Sequence, residues 1–344
     1  MAREKKCIGE YEKRGEIGRG TYGTVYEGVH CQTLERVAIK KVIGKPSLGD
    51  QEATLLRKCK DAQHVVQLLD VVLRNGKTYL VLEYMDSDLE TVIKATDELP
   101  VLPVAHVKTY LRMLLEGVQE LHSRNILHRD LKPNNLLISQ RTDESKKVVA
   151  KITDFGMAAV MEPTDAERSI QVITRAYRPP ELFFGDDHYG FSVDMWSVGC
   201  IFGEMLLRKP MFDGASDIDQ LSQIFNMLGS PTENGWEAAA ELPFFLRFKD
   251  TNPVPLKEHF EELSAHGVDL LRRFLTLDPK KRITLEDALA HPFFKEEPLP
   301  APSEDLVVVT PPDRFQTKKR AADAEWRDDE AADSSFVIKG RRIV

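Results

Sequence analysis

One stretch limits the possible folds of this chain more than any other: Ile126-Leu127-His128-Arg129-Asp130-Leu131-Lys132-Pro133-Asn134-Asn135-Leu136-Leu137-Ile138. The apolar ends call for burial, whereas Arg129, Asp130, Lys132 and Asn135 between them must face a cleft. An aspartate accepts or orients the proton of a hydroxyl, and a lysine lies against a phosphate. An asparagine five residues after the aspartate offers a neutral oxygen to a hard cation. An ordinary polar loop between buried segments has the same look, so the order of further motifs along the chain decides.

Four more signatures follow that order. Upstream stand Gly18-Arg19-Gly20-Thr21-Tyr22-Gly23-Thr24-Val25 and Val37-Ala38-Ile39-Lys40, and downstream Asp154-Phe155-Gly156 and Pro179-Pro180-Glu181. Glycines let a hairpin backbone approach phosphates because no Cβ intervenes. The same spacing occurs in dinucleotide-binding folds, but there it opens a helix, and Val25-Tyr26-Glu27-Gly28-Val29 reads as extended chain. Lys40 lies in a stretch too apolar for an unpaired ammonium and needs an anion. Together the five signatures resemble those of the eukaryotic protein kinases, over about residues 11 to 297.

The resemblance implies an α+β, two-lobed kinase fold, with a small, mainly antiparallel β lobe plus helix C at 1–85 and a larger, mainly α lobe at 86–297. It also implies ATP and Mg²⁺ as cofactors. Asp130, Lys132, Lys40 and its partner Glu52 become the catalytic set, and Asn135 with Asp154 the metal ligands. ATP would lie against Ile17, Gly18, Gly20, Gly23, Val25, Ala38, Lys40, Leu82, Glu83, Met85, Asp88 and Leu137. Glu181 is expected to pair with Arg282, and Asp194 to brace the catalytic loop. Val104 to Arg124 carries apolar residues at helical spacing, as a long buried helix does.

The segment Val172 to Glu181, with Thr174 and Arg178, resembles the cyclin-dependent and proline-directed branch. That branch implies Ser/Thr protein substrates followed by proline, a cyclin partner, and work in cell-cycle or transcription control. Met85 to Lys94 and Asp217 to Ser222 are similar to the kinases that activate other cyclin-dependent kinases or phosphorylate the RNA polymerase II tail. Thr21, Tyr22 and Ser169 are the regulatory phosphorylation candidates. Two of the three arginines that usually clasp an activating phosphate are absent: Gln51 and Ala159 stand there, leaving Arg129. Low dependence on Ser169 phosphorylation is therefore expected. Gly49 in the linker before Glu52 weakens a helical start by roughly 1 kcal/mol, which leaves a cyclin-independent monomer as the alternative. Ala176 and Pro179 replace the branch's usual tryptophan and alanine, which bears on substrate details rather than on the reaction.

Composition narrows the setting. A 344-residue chain of net charge −8 argues against nucleic acid as the main ligand. No apolar run long enough to span a membrane occurs, and Met1 to Lys6 does not lead into a signal core. Cys7, Cys31, Cys59 and Cys200 lack paired spacing and read as thiols of a reducing compartment. Residues 298–344, rich in proline and mixed charge, read as a flexible tail. Val307 to Val309 or Phe336 to Ile338 are candidate docking strands there. Lys318-Lys319-Arg320 and Arg341-Arg342 are candidate nuclear-import signals, so the nucleus is the expected location with the cytoplasm as alternative. A pseudokinase scaffold would lack Lys40, Asp130 or Asn135, and a small-molecule phosphotransferase has no use for the Tyr177-Arg178-Pro179-Pro180-Glu181 segment.

Overall fold

A computed structural model describes residues 7–309 apart from 22, 45, 141–144 and 162–166. Tyr22, the segment 336–338 and both basic clusters of the tail lie outside the described residues. The described residues divide into two compact units, one holding those of Met1–Gly49 and Leu69–Tyr84, the other those of Asp50–Leu68 and Met85–Thr310.

The first unit opens with strands β1 (Cys7–Ile8), β2 (Tyr11–Gly20), β3 (Gly23–His30) and β4 (Arg36–Val42). Helix α1 (Pro46–Lys58) runs across the division at Gly49, and β5 (Leu68–Arg74) and β6 (Lys77–Glu83) complete a six-stranded sheet in the order β1-β2-β3-β4-β6-β5. The glycine-rich segment is the β2–β3 hairpin, Gly20 opposite Gly23, and not a helix start. A Cβ on Gly23 would lie 2.7 Å from the Lys41 carbonyl oxygen and 3.2 Å from the Lys40 side chain, so only glycine lets that lysine pass. Strand register sorts the two faces, because directly paired residues share a face. Val25 pairs with Lys40, Lys40 with Leu80 and Ala38 with Leu82, which lines up four expected ATP residues on one side. Val37, Ile39 and Val81 take the other side and close a core with Ile8 and Tyr11. Gly49 does not stop α1. Its missing side chain makes room for Thr78, whose Cβ would stand 2.8 Å from an added methyl.

The second unit holds β7 (Ser87–Asp88), α2 (Leu89–Lys94), α3 (Val104–His122), β8 (Ile126–Leu127), β9 (Leu136–Gln140), β10 (Val148–Ile152) and β11 (Ala159–Val160). Helices α4 (Pro180–Phe183), α5 (Ser192–Leu207), α6 (Asp217–Leu228), α7 (Leu256–His259), α8 (Ala265–Phe274) and α9 (Leu285–Ala290) follow. The long helix expected from Val104 is α3. Helix α5 is buried on nearly every side, which marks it as the unit's central element. Among the described residues no helix is long and apolar enough to cross a membrane.

Two expected boundaries move. The segment after α1 belongs with the second unit, because Gln63 and His64 donate their N–H groups to the Glu120 carboxylate at 2.7 and 2.8 Å. His64 and Val66 also bond the Ile152 backbone at 2.8 and 3.0 Å. The tail, expected to be loose from 298, is seated through 309. Ala301 donates to the Ala105 carbonyl at 3.0 Å, Thr109 to the Ala301 carbonyl at 2.7 Å, and Ser87 to the Val309 carbonyl. Prolines leave this stretch one short 3-10 turn, Ser303–Asp305, and no strand or α-helix, yet backbone carbonyls left bare are acceptors. The fully buried Lys108 ammonium uses those of Glu296 and Pro298 at 2.9 and 2.8 Å. Residues 307 to 309 form no strand.

Candidate active site

The catalytic loop is aimed by one buried carboxylate. Asp194, at the start of α5, accepts the N–H groups of His128 and Arg129, each at 3.0 Å, and is 2.9 Å from His122 Nε2. Burial raises its pKa, but the His122 bond, the neighbouring imidazoles and the Arg129 N–H outweigh burial and hold the carboxyl below its ordinary range. These bonds keep Arg129 at φ 61°, a left-handed conformation costly for a side-chain-bearing residue, which turns the loop so that Asp130 follows inward.

Asp130 is 5 % exposed and stands at the centre of a polar cluster. Its Oδ2 accepts from Lys132 Nζ at 2.7 Å and from the Asn135 amide at 3.3 Å. Oδ1 accepts the Thr174 hydroxyl at 2.6 Å and the Thr174 N–H at 3.2 Å, while Lys132 also donates to the Thr174 hydroxyl at 3.1 Å. Thr174, assigned from sequence to the activation segment, thus belongs to the catalytic cluster. Its hydroxyl occupies the place between an acceptor and an ammonium where a reacting hydroxyl has its proton drawn and its oxygen stabilised.

Asn135 commits its amide nitrogen to the Asp130 carbonyl at 2.8 Å, which leaves the amide oxygen for a cation. Its own carbonyl accepts the Thr153 N–H at 3.0 Å, so Asp154 begins one residue from Asn135 across two chain segments. Asp154 takes φ 65°, a second left-handed non-glycine residue. One amide oxygen and one carboxylate form the hard oxygen donor set that suits Mg²⁺ and would poorly serve a softer metal. The Asp88 carboxylate caps α2 through the Thr91 N–H at 2.7 Å, and Asp88 pairs in register with Leu137. Lys40 on β4 and Glu52 on α1 are buried at 5 % and 3 % exposure, charged groups that folding tolerates only with counter-charges. Ile17 and Gly18 lie within β2, Glu83 is the last residue of β6, and Met85 follows two residues later.

The segment after the catalytic cluster is clamped at several points. Glu181 and Arg282 meet in a two-pronged ion pair of 2.7 and 2.9 Å, both side chains fully buried, as expected. The Tyr177 hydroxyl donates to Glu204 at 2.7 Å. Burial chiefly pushes the Glu204 pKa up to about 7, against the lowering effect of that bond. Two residues escaped the sequence reading. Ile173 takes φ 66°, and its carbonyl accepts both Arg178 Nε and an Arg178 terminal nitrogen at 3.1 and 2.9 Å. Tyr189, buried, accepts from Arg129 at 3.1 Å and donates to the Ser169 carbonyl at 2.7 Å, while Arg129 Nε bonds the Met157 carbonyl at 2.8 Å. Ser169 and Thr21 are exposed, and so is Gln51. No motif spacing announces either residue. A β-branched residue before Thr-Arg gives no hint of positive φ, and Tyr189 is one aromatic among many.

The second unit holds an aspartate, lysine and threonine cluster beside an oxygen pair, and the first holds a glycine hairpin and a buried strand lysine; each is a part that phosphoryl transfer to hydroxyls uses. The comparisons agree: the protein kinase domain model matches residues 11–294. Cyclin-dependent kinase 20 of Homo sapiens is 43% identical over 304 residues, covering 86% of this chain and 85% of that protein. Cyclin-dependent kinase D-1 of Oryza sativa subsp. japonica is 40% identical over 314 residues, covering 90% of this chain and 72% of that one. Among solved structures, a chain of the CAK complex from Chaetomium thermophilum bound to ATP-gamma-S is similar with a TM-score of 0.77 and 35% identity, covering 86% of this chain and 94% of that chain. The chain belongs to the protein kinase family and, within it, to the cyclin-dependent-kinase-like Ser/Thr kinases, which use ATP and act on proteins.

Proposed function

We propose that this kinase transfers the γ-phosphoryl group of MgATP to a Ser or Thr followed by proline, in partnership with a cyclin. The observation that carries the proline reading is the Ile173–Arg178 pair. Positive φ turns the Ile173 carbonyl, and the Arg178 guanidinium occupies it from two nitrogens, so that acceptor is taken before a substrate arrives. A substrate N–H at that point would go unsatisfied, and proline has none to lose.

In the reaction, Asp130 Oδ1 accepts or orients the acceptor proton now held from the Thr174 hydroxyl, and Lys132 holds negative charge beside it. Asn135 and Asp154 would hold Mg²⁺, which when bound neutralises charge on the phosphates. Lys40 contributes a second positive charge from the sheet. The site's work is positioning and electrostatics rather than covalent chemistry.

The cyclin reading rests on the family and on exposed large apolar side chains of the first unit, Ile43, Leu48, Leu69 and Leu73. Similarity to cyclin-dependent kinase D-1 and to the CAK complex extends the proposal to substrates in cell-cycle or transcription control, such as another cyclin-dependent kinase or the polymerase II tail, and the basic clusters Lys318-Lys319-Arg320 and Arg341-Arg342 extend it to a nuclear location. The test is a radiolabelled ATP assay on paired peptides differing only in Ser-Pro against Ser-Ala, with and without candidate cyclins. A preference for Ser-Pro above ~10-fold is expected, about 1.4 kcal/mol for an unmet buried N–H. Equal rates would refute the proline reading, and full activity of a monomer on gel filtration would refute the cyclin.

A further inference from the structure

The sequence reading left the four cysteines as separate thiols, but folding brings two of them together. Cys7 Sγ and Cys31 Sγ stand 3.8 Å apart, in van der Waals contact, across 24 positions of sequence. Both backbones are fixed. Cys7 pairs with Glu12 in the β1–β2 ladder, and its carbonyl accepts the Arg74 guanidinium. Cys31 follows β3 and donates its N–H to the Glu10 carbonyl at 2.8 Å. Cys31 is exposed and Cys7 half-buried, so solvent-borne reagents reach the pair. The other two cysteines are sheltered: Cys59 and Cys200 are buried, and burial pushes the Cys59 thiol up to about 11 and the Cys200 thiol higher still.

We propose that Cys7 and Cys31 are a reversible oxidation site, closed to a disulfide by a peroxide. The exposed Cys31 sulfur attacks one peroxide oxygen, breaking the O–O bond to give a sulfenic acid and one water. Cys7 sulfur then displaces the sulfenic hydroxyl, forming the S–S bond and releasing a second water. Each sulfur loses one electron and the peroxide gains two. A disulfide of about 2.05 Å requires the two side chains to turn toward each other from their present contact.

The consequence lies in what the ring encloses. Strands β2 and β3 fall wholly between positions 7 and 31, so the bond ties the base of the hairpin whose tip carries Gly20 and Gly23. Fewer open conformations of that hairpin remain available to the unfolded chain, so the oxidised form resists melting.

Trypsin cuts after Lys6, Lys13, Arg19 and Arg36, which sends Cys7 and Cys31 out on separate peptides, 7–13 and 20–36. Full-length reduced protein is treated with hydrogen peroxide, alkylated and digested without reductant. The expected product is the two peptides joined with loss of two hydrogens, parted again by dithiothreitol. Its melting temperature is expected to rise by roughly 2–10 °C, a rise absent from Cys7→Ser and from Cys31→Ser. In Cys7→Ser, dimedone is expected to trap a sulfenic acid on Cys31. Recovery of the two peptides unlinked, each cysteine alkylated or oxidised on its own, would overturn the proposal, and so would crosslinks to Cys59 or Cys200 in its place.

Discussion

Two arginines brace the segment between Asp154 and Glu181, and they do so in opposite ways. Arg282 meets the Glu181 carboxylate with both sides dry, at 2.7 and 2.9 Å. Among the described residues the Arg129 guanidinium bonds neutral acceptors, the Met157 carbonyl and the Tyr189 hydroxyl, and through Tyr189 it reaches the backbone of Ser169. The first brace is a permanent charge pair whose halves are each ruinous alone. In the second, a neutral phenol is the link between a cation and the backbone. With Gln51 and Ala159 where two more arginines are usual, the cation density that would reward a phosphate is not assembled. The segment's outer end is tied to built-in side chains, and we propose on that ground that phosphorylation of Ser169 is dispensable.

The largest expected effect breaks the charged brace. Arg282→Met leaves the Glu181 carboxylate buried without its partner and should cost about 3–5 kcal/mol, seen as a large fall in the denaturant midpoint. Breaking the neutral brace should be milder and fall on turnover. Tyr189→Phe removes one hydroxyl and the hydrogen bonds at 3.1 and 2.7 Å. We expect a loss of roughly 10-fold in kcat, from about 1.5 kcal/mol, with near-normal stability and KM for ATP.

A third test concerns pH. Glu204, tied to Tyr177, binds its proton more tightly folded than unfolded, its pKa raised from 4.5 to about 7. Between those values the folded state holds more protons, so stability falls as pH rises through the window and levels off above it. Glu204→Gln should flatten that slope in thermal melts taken from pH 4.5 to 8, the range in which the wild type declines. The smallest effect sharpens the comparison. Ser169→Ala should change kcat by less than ~2-fold, since the exposed hydroxyl makes no part of the brace. A large loss traced to a missing phosphate would invert the contrast between the two arginines.

How far the sequence foretold this depends on the kind of interaction. Asp130, Lys132 and Asn135 were legible because their relations are local, set by spacing within one loop. The pairing of Glu181 with Arg282, across 101 positions, was reached through family resemblance and not through any pattern in the residues. Tyr189, Ile173 and the Cys7–Cys31 contact were invisible, since each depends on a backbone angle or a long-range approach that leaves no periodic trace. Residues 298–309 were misread because prolines argue against regular structure but say nothing against docking through carbonyls. Gly49 was read as weakening a helical start, and the structure adds the space that Thr78 takes beside it.

Everything rests on Asp130 holding the acceptor hydroxyl. The most direct measurement is the rate of phosphate transfer from radiolabelled ATP to a Ser-Pro peptide by Asp130→Asn, with circular dichroism and ATP binding measured on the same sample. The expected result is a fall of about 10²–10⁴-fold in kcat in a chain that still folds and binds ATP. Transfer within a few-fold of wild type would contradict the account.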